Sequence, residues 1–373
     1  MKEIENKYLS YPENRDIVFV LGAGASYPDG VPLQRHILPL ILNDKEIADS
    51  EIGRSVIEFI KDNYKYNSEQ NRYPDLESVF GFLDYFIQQN ETLSTKYTVQ
   101  NIRNIKESLI KLIHHVVNKN ADKNSKAYHQ FWESIKRYNS NISILTLNYD
   151  TMLEQAFEAM FPNFGYLDYC IHLMNYDKRD ELKSFSYWID PRQPVKVTKE
   201  ATPVPIKIIK LHGSLNWKYC NCCNQVLLTP WDRDIDLNRG KFTGYTFPGK
   251  EKYEYSCPID GTEFETLIMA PSYAKKLNQP VISQLMSEAA REIRATKKIV
   301  FVGYSLSSAD VHIRALFKKQ LETDIKVYVI NTRSTESHKL KYRSLTDNIE
   351  FINAPFEEMV SSEEILNKIF SNK

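Results

Sequence analysis

From Ile17 to Leu21 the chain runs Ile-Val-Phe-Val-Leu and then meets Gly22-Ala23-Gly24-Ala25-Ser26. A short apolar run rich in β-branched residues and closed by glycine reads as a strand buried on both faces. Parallel sheets covered by helices are built from such strands. Gly22 permits a tight turn, and Gly24 lacks the side chain that would keep a phosphate from peptide N–H groups at a following helix start. An ordinary strand-to-helix turn explains Gly-Ala-Gly equally well, so the choice falls to other segments.

Three segments repeat the pattern. Ile142–Leu147 runs into Asn148-Tyr149-Asp150 and an amphipathic stretch from Thr151 to Phe161. Ile206–Leu211 runs into His212-Gly213-Ser214, and Ile299–Val302 into Gly303-Tyr304-Ser305-Leu306. A further strand, Val327–Ile330, ends at Asn331, and a short one lies near Ile349–Ile352. Each strand delivers polar groups at its carboxyl end, where an open parallel sheet binds its ligand. The expected fold is therefore α/β, a doubly wound, Rossmann-like and mainly parallel sheet. Its core comprises residues 1–40, 141–217 and 265–373. Residues 41–140 carry helical apolar spacing almost throughout and read as an inserted helical module; residues 218–264 form a small cysteine-bearing module.

Four of the five cysteines lie in that small module. Cys220 and Cys223 have the spacing of a zinc knuckle, while Cys257-Pro258-Ile259-Asp260-Gly261 offers one thiol and places Asp260 where a second would stand. Two readings stay open: a zinc site of Cys220, Cys223 and Cys257 with an unusual fourth ligand, or a decayed one.

At this point the chain resembles the sirtuin family, through Gly22-Ala23-Gly24-Ala25-Ser26 with Gly30-Val31-Pro32, Thr146-Leu147-Asn148-Tyr149-Asp150, Leu211-His212-Gly213-Ser214 and Gly303-Tyr304-Ser305-Leu306. The long insertion after the first motif resembles the divergent sirtuin-like branch of bacterial anti-phage defence. That resemblance implies an NAD hydrolase releasing nicotinamide and ADP-ribose. It implies Asn148 and His212 as the catalytic pair and Gly22, Ala23, Gly24, Ser26, Arg35, Asp150, Gly303, Ser305 and Asn331 as NAD contacts. Residue chemistry agrees: cleavage of the nicotinamide–ribose bond makes an oxocarbenium-like ribose, for which an amide can position water and an imidazole can take a proton. Asp150 suits helix N-capping as well as ligand contact.

After Gly30-Val31-Pro32 a deacylase of this family continues Asp-Phe-Arg, whereas Leu33-Gln34-Arg35 stands here and keeps only the arginine. The missing aromatic implies a ribose face more open to water. Pro271 weakens the segment with which deacylases clamp an acyl-lysine peptide as an added strand. An NAD-dependent deacylase and a non-catalytic NAD or ADP-ribose-binding regulator are the alternatives.

Lys plus Arg and Asp plus Glu are equal at 48 each, so no global field favours nucleic acid or an anionic membrane. No apolar run approaches the roughly 18 residues of a membrane span, and the polar first residues do not read as a signal peptide, so a cytoplasmic protein is expected. A toxic activity must be restrained, and the resemblance implies control by homo-oligomerisation or by a protein partner, a HerA-type ATPase or an argonaute-like protein.

Overall fold

A computed structural model describes residues 4–371 apart from 123, 162–163, 175–186, 191–192, 201, 230–234, 243–255, 273–276, 278 and 333. The strands are β1 (Ile4–Lys7), β2 (Arg15–Leu21), β3 (Ile142–Thr146), β4 (Gly165–Asp168), β5 (Val195–Thr198), β6 (Val204–Lys210), β7 (Gly213–Tyr219), β8 (Val226–Leu228), β9 (Ile235–Asp236), β10 (Lys241–Phe242), β11 (Glu265–Ile268), β12 (Thr296–Val302), β13 (Lys326–Asn331) and β14 (Ile349–Asn353). The α-helices are α1 (Ala23–Ser26), α2 (Gln34–Asn43), α3 (Lys45–Asp49), α4 (Glu51–Asn63), α5 (Leu76–Gln89), α6 (Val99–Asn120), α7 (Lys126–Tyr138), α8 (Met152–Phe157), α9 (Pro280–Arg294), α10 (Val311–Gln320), α11 (Glu336–Arg343), α12 (Phe356–Ser361) and α13 (Glu363–Phe370). They divide into two compact units. One comprises Met1–Asp29, Asp122–Gly213 and Asn278–Lys373; the other comprises Gly30–Ala121 and Ser214–Leu277.

The first unit is built on a seven-stranded sheet in the order β14-β13-β12-β2-β3-β6-β4, and every neighbouring pair is parallel. From β2 the chain passes to β3 on one side, and later strands return to β12 on the other, so the order reverses at β2. Helices cover both faces. Phe19 and its neighbour Val300 point the same way, and Phe19 meets Phe131 of α7 at 5.1 Å and Phe370 of α13 at 6.1 Å. Phe301 points oppositely and meets Phe317 of α10 at 4.9 Å and Tyr342 of α11 at 5.0 Å. This burial on both faces explains why β2 and β12 read as unbroken apolar runs.

The register aligns the strand ends: Leu21 pairs with Thr146 and with Val302, Thr146 with Lys210, and Val302 with Ile330. The segments beginning at Gly22, Leu147, Leu211, Gly303 and Asn331 therefore leave the sheet at one level along one edge.

The opposite edge is tied by a buried charge network. Glu292 of α9 accepts from Arg15 Nε at 2.8 Å and Lys207 Nζ at 2.7 Å, and also from the Ser143 hydroxyl. Burial opposes ionisation of Glu292, but Lys207, Ser143 and Arg15 outweigh it and hold the carboxyl below its ordinary range.

The second unit pairs a helical layer with small sheets. In α6, Ile102, Ile105, Leu109, Leu112, Ile113 and Val116 recur at three- and four-residue spacing and are buried, which is the stripe a packed amphipathic helix presents. Ser50 and Thr98 cap α4 and α6 by accepting from the amides of Gly53 and Asn101. Phe80 is fully buried, Phe82 and Phe86 pack edge-on at 5.1 Å, and Tyr85 is exposed. β11, β7 and β8 form a three-stranded sheet, and β9 and β10 a short antiparallel pair. Among the described residues no helix is long and apolar enough to cross a membrane.

Removing the acid leaves the buried Arg15 without its carboxylate, while the half-buried Lys207 keeps Glu288 at 3.5 Å. Glu292→Ala should lower stability by about 3–5 kcal/mol, read from urea unfolding at neutral pH. Because the folded-state pKa is lowered, the parent draws this stabilisation fully above the unfolded value near 4.5 and loses it as pH falls through the folded value. The gap between parent and variant should therefore close in acid. An unchanged midpoint at neutral pH would show that the network contributes nothing.

Candidate active site

The glycines at the strand ends of the first unit pack against each other. A Cβ on Gly22 would lie 2.6 Å from Tyr304 Cα, one on Gly24 would lie 2.7 Å from Gly303 Cα, and one on Gly303 would lie 2.4 Å from the Ala25 nitrogen. Gly303 also has φ +61°. Backbone bonds lock the approach: Gly22 N–H donates to Val302 O, Gly24 N–H to Gly303 O, and Gly303 N–H to Ile330 O. The glycine spacing thus serves contact between two loops, and the Gly24 amide points at a carbonyl. The next turn carries backbone strain, because Leu306 adopts φ +49°, a left-handed conformation costing about 1–2 kcal/mol in a residue with a Cβ. Its complete burial holds it there.

Asn148 is 7% exposed, and its Nδ2 donates to Gly22 O at 3.0 Å and Ser26 Oγ at 3.1 Å. Both amide hydrogens are thus directed into the glycine loop, which leaves Oδ1 as the group able to accept from a water. Ser26 Oγ also bonds the buried Tyr128 hydroxyl at 2.8 Å. Asp150 Oδ1 accepts from Met152 N–H at 3.1 Å, at the start of α8. Burial pushes its carboxyl above the ordinary range against the pull of Lys210. Lys210 itself is 1% exposed and donates to Asp150 O at 2.6 Å and to the fully buried Glu154 at 2.8 Å.

His212 follows β6 by two residues, as Asn148 follows β3, and the pairing of Thr146 with Lys210 sets the two side by side. His212 is 5% exposed; its Nε2 lies 3.2 Å from Nε2 of His312 and 3.5 Å from Oδ1 of Asp310. Asp310 stands at the head of α10 without capping it, and Tyr304 OH donates to its Oδ2 at 2.9 Å. Asn331 Nδ2 donates to Tyr304 O at 2.9 Å.

Of the residues singled out in the sequence, Gly22, Ala23, Gly24, Ser26, Asn148, Asp150, His212, Gly303, Ser305 and Asn331 therefore gather at one edge of the first unit, with Ala23 and Ser305 exposed. Arg35 stands in the second unit, exposed, with its Nε donating to His36 at 3.1 Å. Periodicity did not disclose the partners of Glu154, Tyr128, Asp310 or His312, because a polar residue in a helix or at its head does not name what it meets. Asp310-x-His312 beside the Gly303 loop was the available signal.

In the second unit Cys220, Cys223, Cys257 and Asp260 place one ligand atom each within 4.8 Å of the others. Cys223 Sγ and Cys257 Sγ are 3.7 Å apart, close to the roughly 3.8 Å edge of a tetrahedron with Zn–S bonds near 2.3 Å. Asp260 Oδ2 is 3.3 Å from Cys220 Sγ, and bonds from Thr262 hold its carboxyl down at about 2, in the ionised form a ligand needs. Asn224 and Gly261 take the left-handed turns that close the two knuckles, at φ +59° and +76°. The donor set fits a tetrahedral ion with Asp260 as the fourth ligand.

A SIR2-like domain model matches residues 142–352, more than half of the chain, and the chain belongs to that family. No curated protein matches it. Solved structures similar to it include a Sir2 homologue in complex with NAD, 14% identical, covering 96% of this chain and 90% of that one with a TM-score of 0.44. Another, from work on sirtuin substrate affinity, is 14% identical, covers 94% of each chain and has a TM-score of 0.42.

Because Asn148 braces the glycine loop, Asn148→Ala should cost about 1–3 kcal/mol through the carbonyl and hydroxyl it leaves unpaired. Thermal unfolding measures this. A melting temperature equal to that of the parent would mean that these bonds do not support the loop.

Proposed function

We propose that this chain is an NAD hydrolase, cleaving NAD to nicotinamide and ADP-ribose. The observation that carries the proposal is the level placement of Asn148 and His212 beyond the adjacent parallel strands β3 and β6, next to the reversal of strand order at β2. A dinucleotide laid across such a point brings its reacting ribose to the strand ends. Asn148, with both N–H groups engaged, orients a water through Oδ1; His212 accepts the proton that this water or a ribose hydroxyl gives up as the bond to nicotinamide breaks. Membership of the SIR2-like family supports NAD as the substrate.

The hydrolytic outcome has its own support. Gln34 replaces the aromatic expected in a deacylase, and Tyr27, the nearest aromatic in sequence, is 51% exposed. β11 is only four residues long, which limits a surface for strand addition. In the cell this activity fits the toxic effector of an anti-phage system, restrained by self-association or by a partner such as a HerA-type ATPase. The cysteine knuckles of the second unit complete the reading as a structural zinc site.

The purified chain should release nicotinamide and ADP-ribose in equal amounts without an acyl-lysine peptide, and His212→Ala should slow release about 100- to 10,000-fold. Release only with such a peptide would make the chain a deacylase, and equal rates in parent and variant would remove His212 from the reaction. Elemental analysis after dialysis against a weak chelator should find about one zinc per chain, lost in Cys223→Ser. A value below about a tenth would retire the zinc site.

A further inference from the structure

His212, Asp310 and His312 are all buried, at 5%, 7% and 9% exposure, and one ligand atom of each lies within 4.8 Å of the others. Their arrangement is convergent. In a hydrogen-bonded relay the carboxylate engages one ring nitrogen while the other faces the reaction. Here Nε2 of His312 and Oδ1 of Asp310 both approach the same atom, Nε2 of His212, at 3.2 and 3.5 Å. Ligand atoms around a tetrahedral ion with bonds of about 2.0–2.1 Å stand about 3.3–3.4 Å apart, so both separations match its edges. Tyr304 OH donates to the other oxygen of Asp310 at 2.9 Å, an outer bond that fixes the carboxylate as a ligand is usually fixed.

We propose that His212, Asp310 and His312 form a binding site for a divalent transition-metal ion of the zinc class, and that the bound ion switches this site off. Two imidazoles and one carboxylate are a borderline donor set with one position left open. The ion takes the Nε2 lone pair of His212, and with it the proton acceptor at that nitrogen. Cleavage stops until the metal is withdrawn. Inhibition rests on the hydrolase reading above; metal binding does not.

The test is calorimetric titration of zinc into the full-length chain after removal of loosely held metal with a weak chelator. The parent and Cys223→Ser should both take up zinc at this site, His312→Gln and Asp310→Asn should lose that uptake, and Tyr304→Phe should weaken it about 10- to 100-fold. Uptake unchanged in a folded His312→Gln overturns the site. Should the ligand variants unfold, cobalt titration of the parent decides: visible bands without a matching rise in near-ultraviolet thiolate absorption support the site, and thiolate absorption alone overturns it. In an NAD cleavage assay, zinc should slow the parent about 100-fold, reversibly by chelator, and leave the rate of His312→Gln unaltered. Zinc that binds without slowing the parent overturns the switch. A parent that cleaves no NAD under any condition overturns the hydrolase reading, while the titration still judges the site.

Discussion

The closeness of two loops at the reversal of strand order is the constraint on which the candidate site depends. Gly22 and Gly24 lie against Gly303 and Tyr304 so tightly that no side chain fits between them. Neighbouring parallel strands are normally about 4.8 Å apart, and side chains usually force the loops beyond them to splay. Here three glycines let the loops continue the approach, and amide-to-carbonyl bonds join them. That contact carries Tyr304 and Asp310 toward His212, while the Gly22 carbonyl anchors Asn148.

A second consequence is electrostatic. The strand ends and the helices after them collect Asp150, Glu154, Lys210, His212, Asp310 and His312, all below a tenth exposed. Isolated buried charges are costly, so each must meet a partner. Lys210 meets Glu154 directly, whereas Asp310 stands among two imidazoles and a phenol. The three groups His212, Asp310 and His312 stand close enough to hold a cation.

Much of the core was legible in the sequence because strands buried on both faces are apolar without interruption. The strands from Ile17, Ile142, Ile206, Ile299, Val327 and Ile349 all fall where the apolar runs lie, with ends shifted by at most three residues. The candidate residues were legible for a related reason: they follow those runs immediately, and parallel register carries strand ends to a common level. The amphipathic run from Thr151 was less faithful, since regular helix ends at Phe157 and a 3-10 turn follows to Met160. Gly24 also had a meaning the sequence could not disclose, because its neighbour at Gly303 is far along the chain. The same distance hid the pairing of His212 with Asp310 and His312. The place of Asp260 beside Cys220, Cys223 and Cys257, by contrast, could be read from knuckle spacing alone.

In the proposed hydrolase NAD lies across the strand ends from β12 to β6, with its nicotinamide ribose between Asn148 and His212. The most direct measurement is a crystal structure of a slowed variant, His212→Ala, soaked with NAD. The expected placement has the ribose beside Asn148 Oδ1 and the vacated imidazole position, with the pyrophosphate along the Gly22–Ser26 and Gly303–Leu306 loops. A nucleotide bound elsewhere, or a ribose turned away from Asn148, would contradict it.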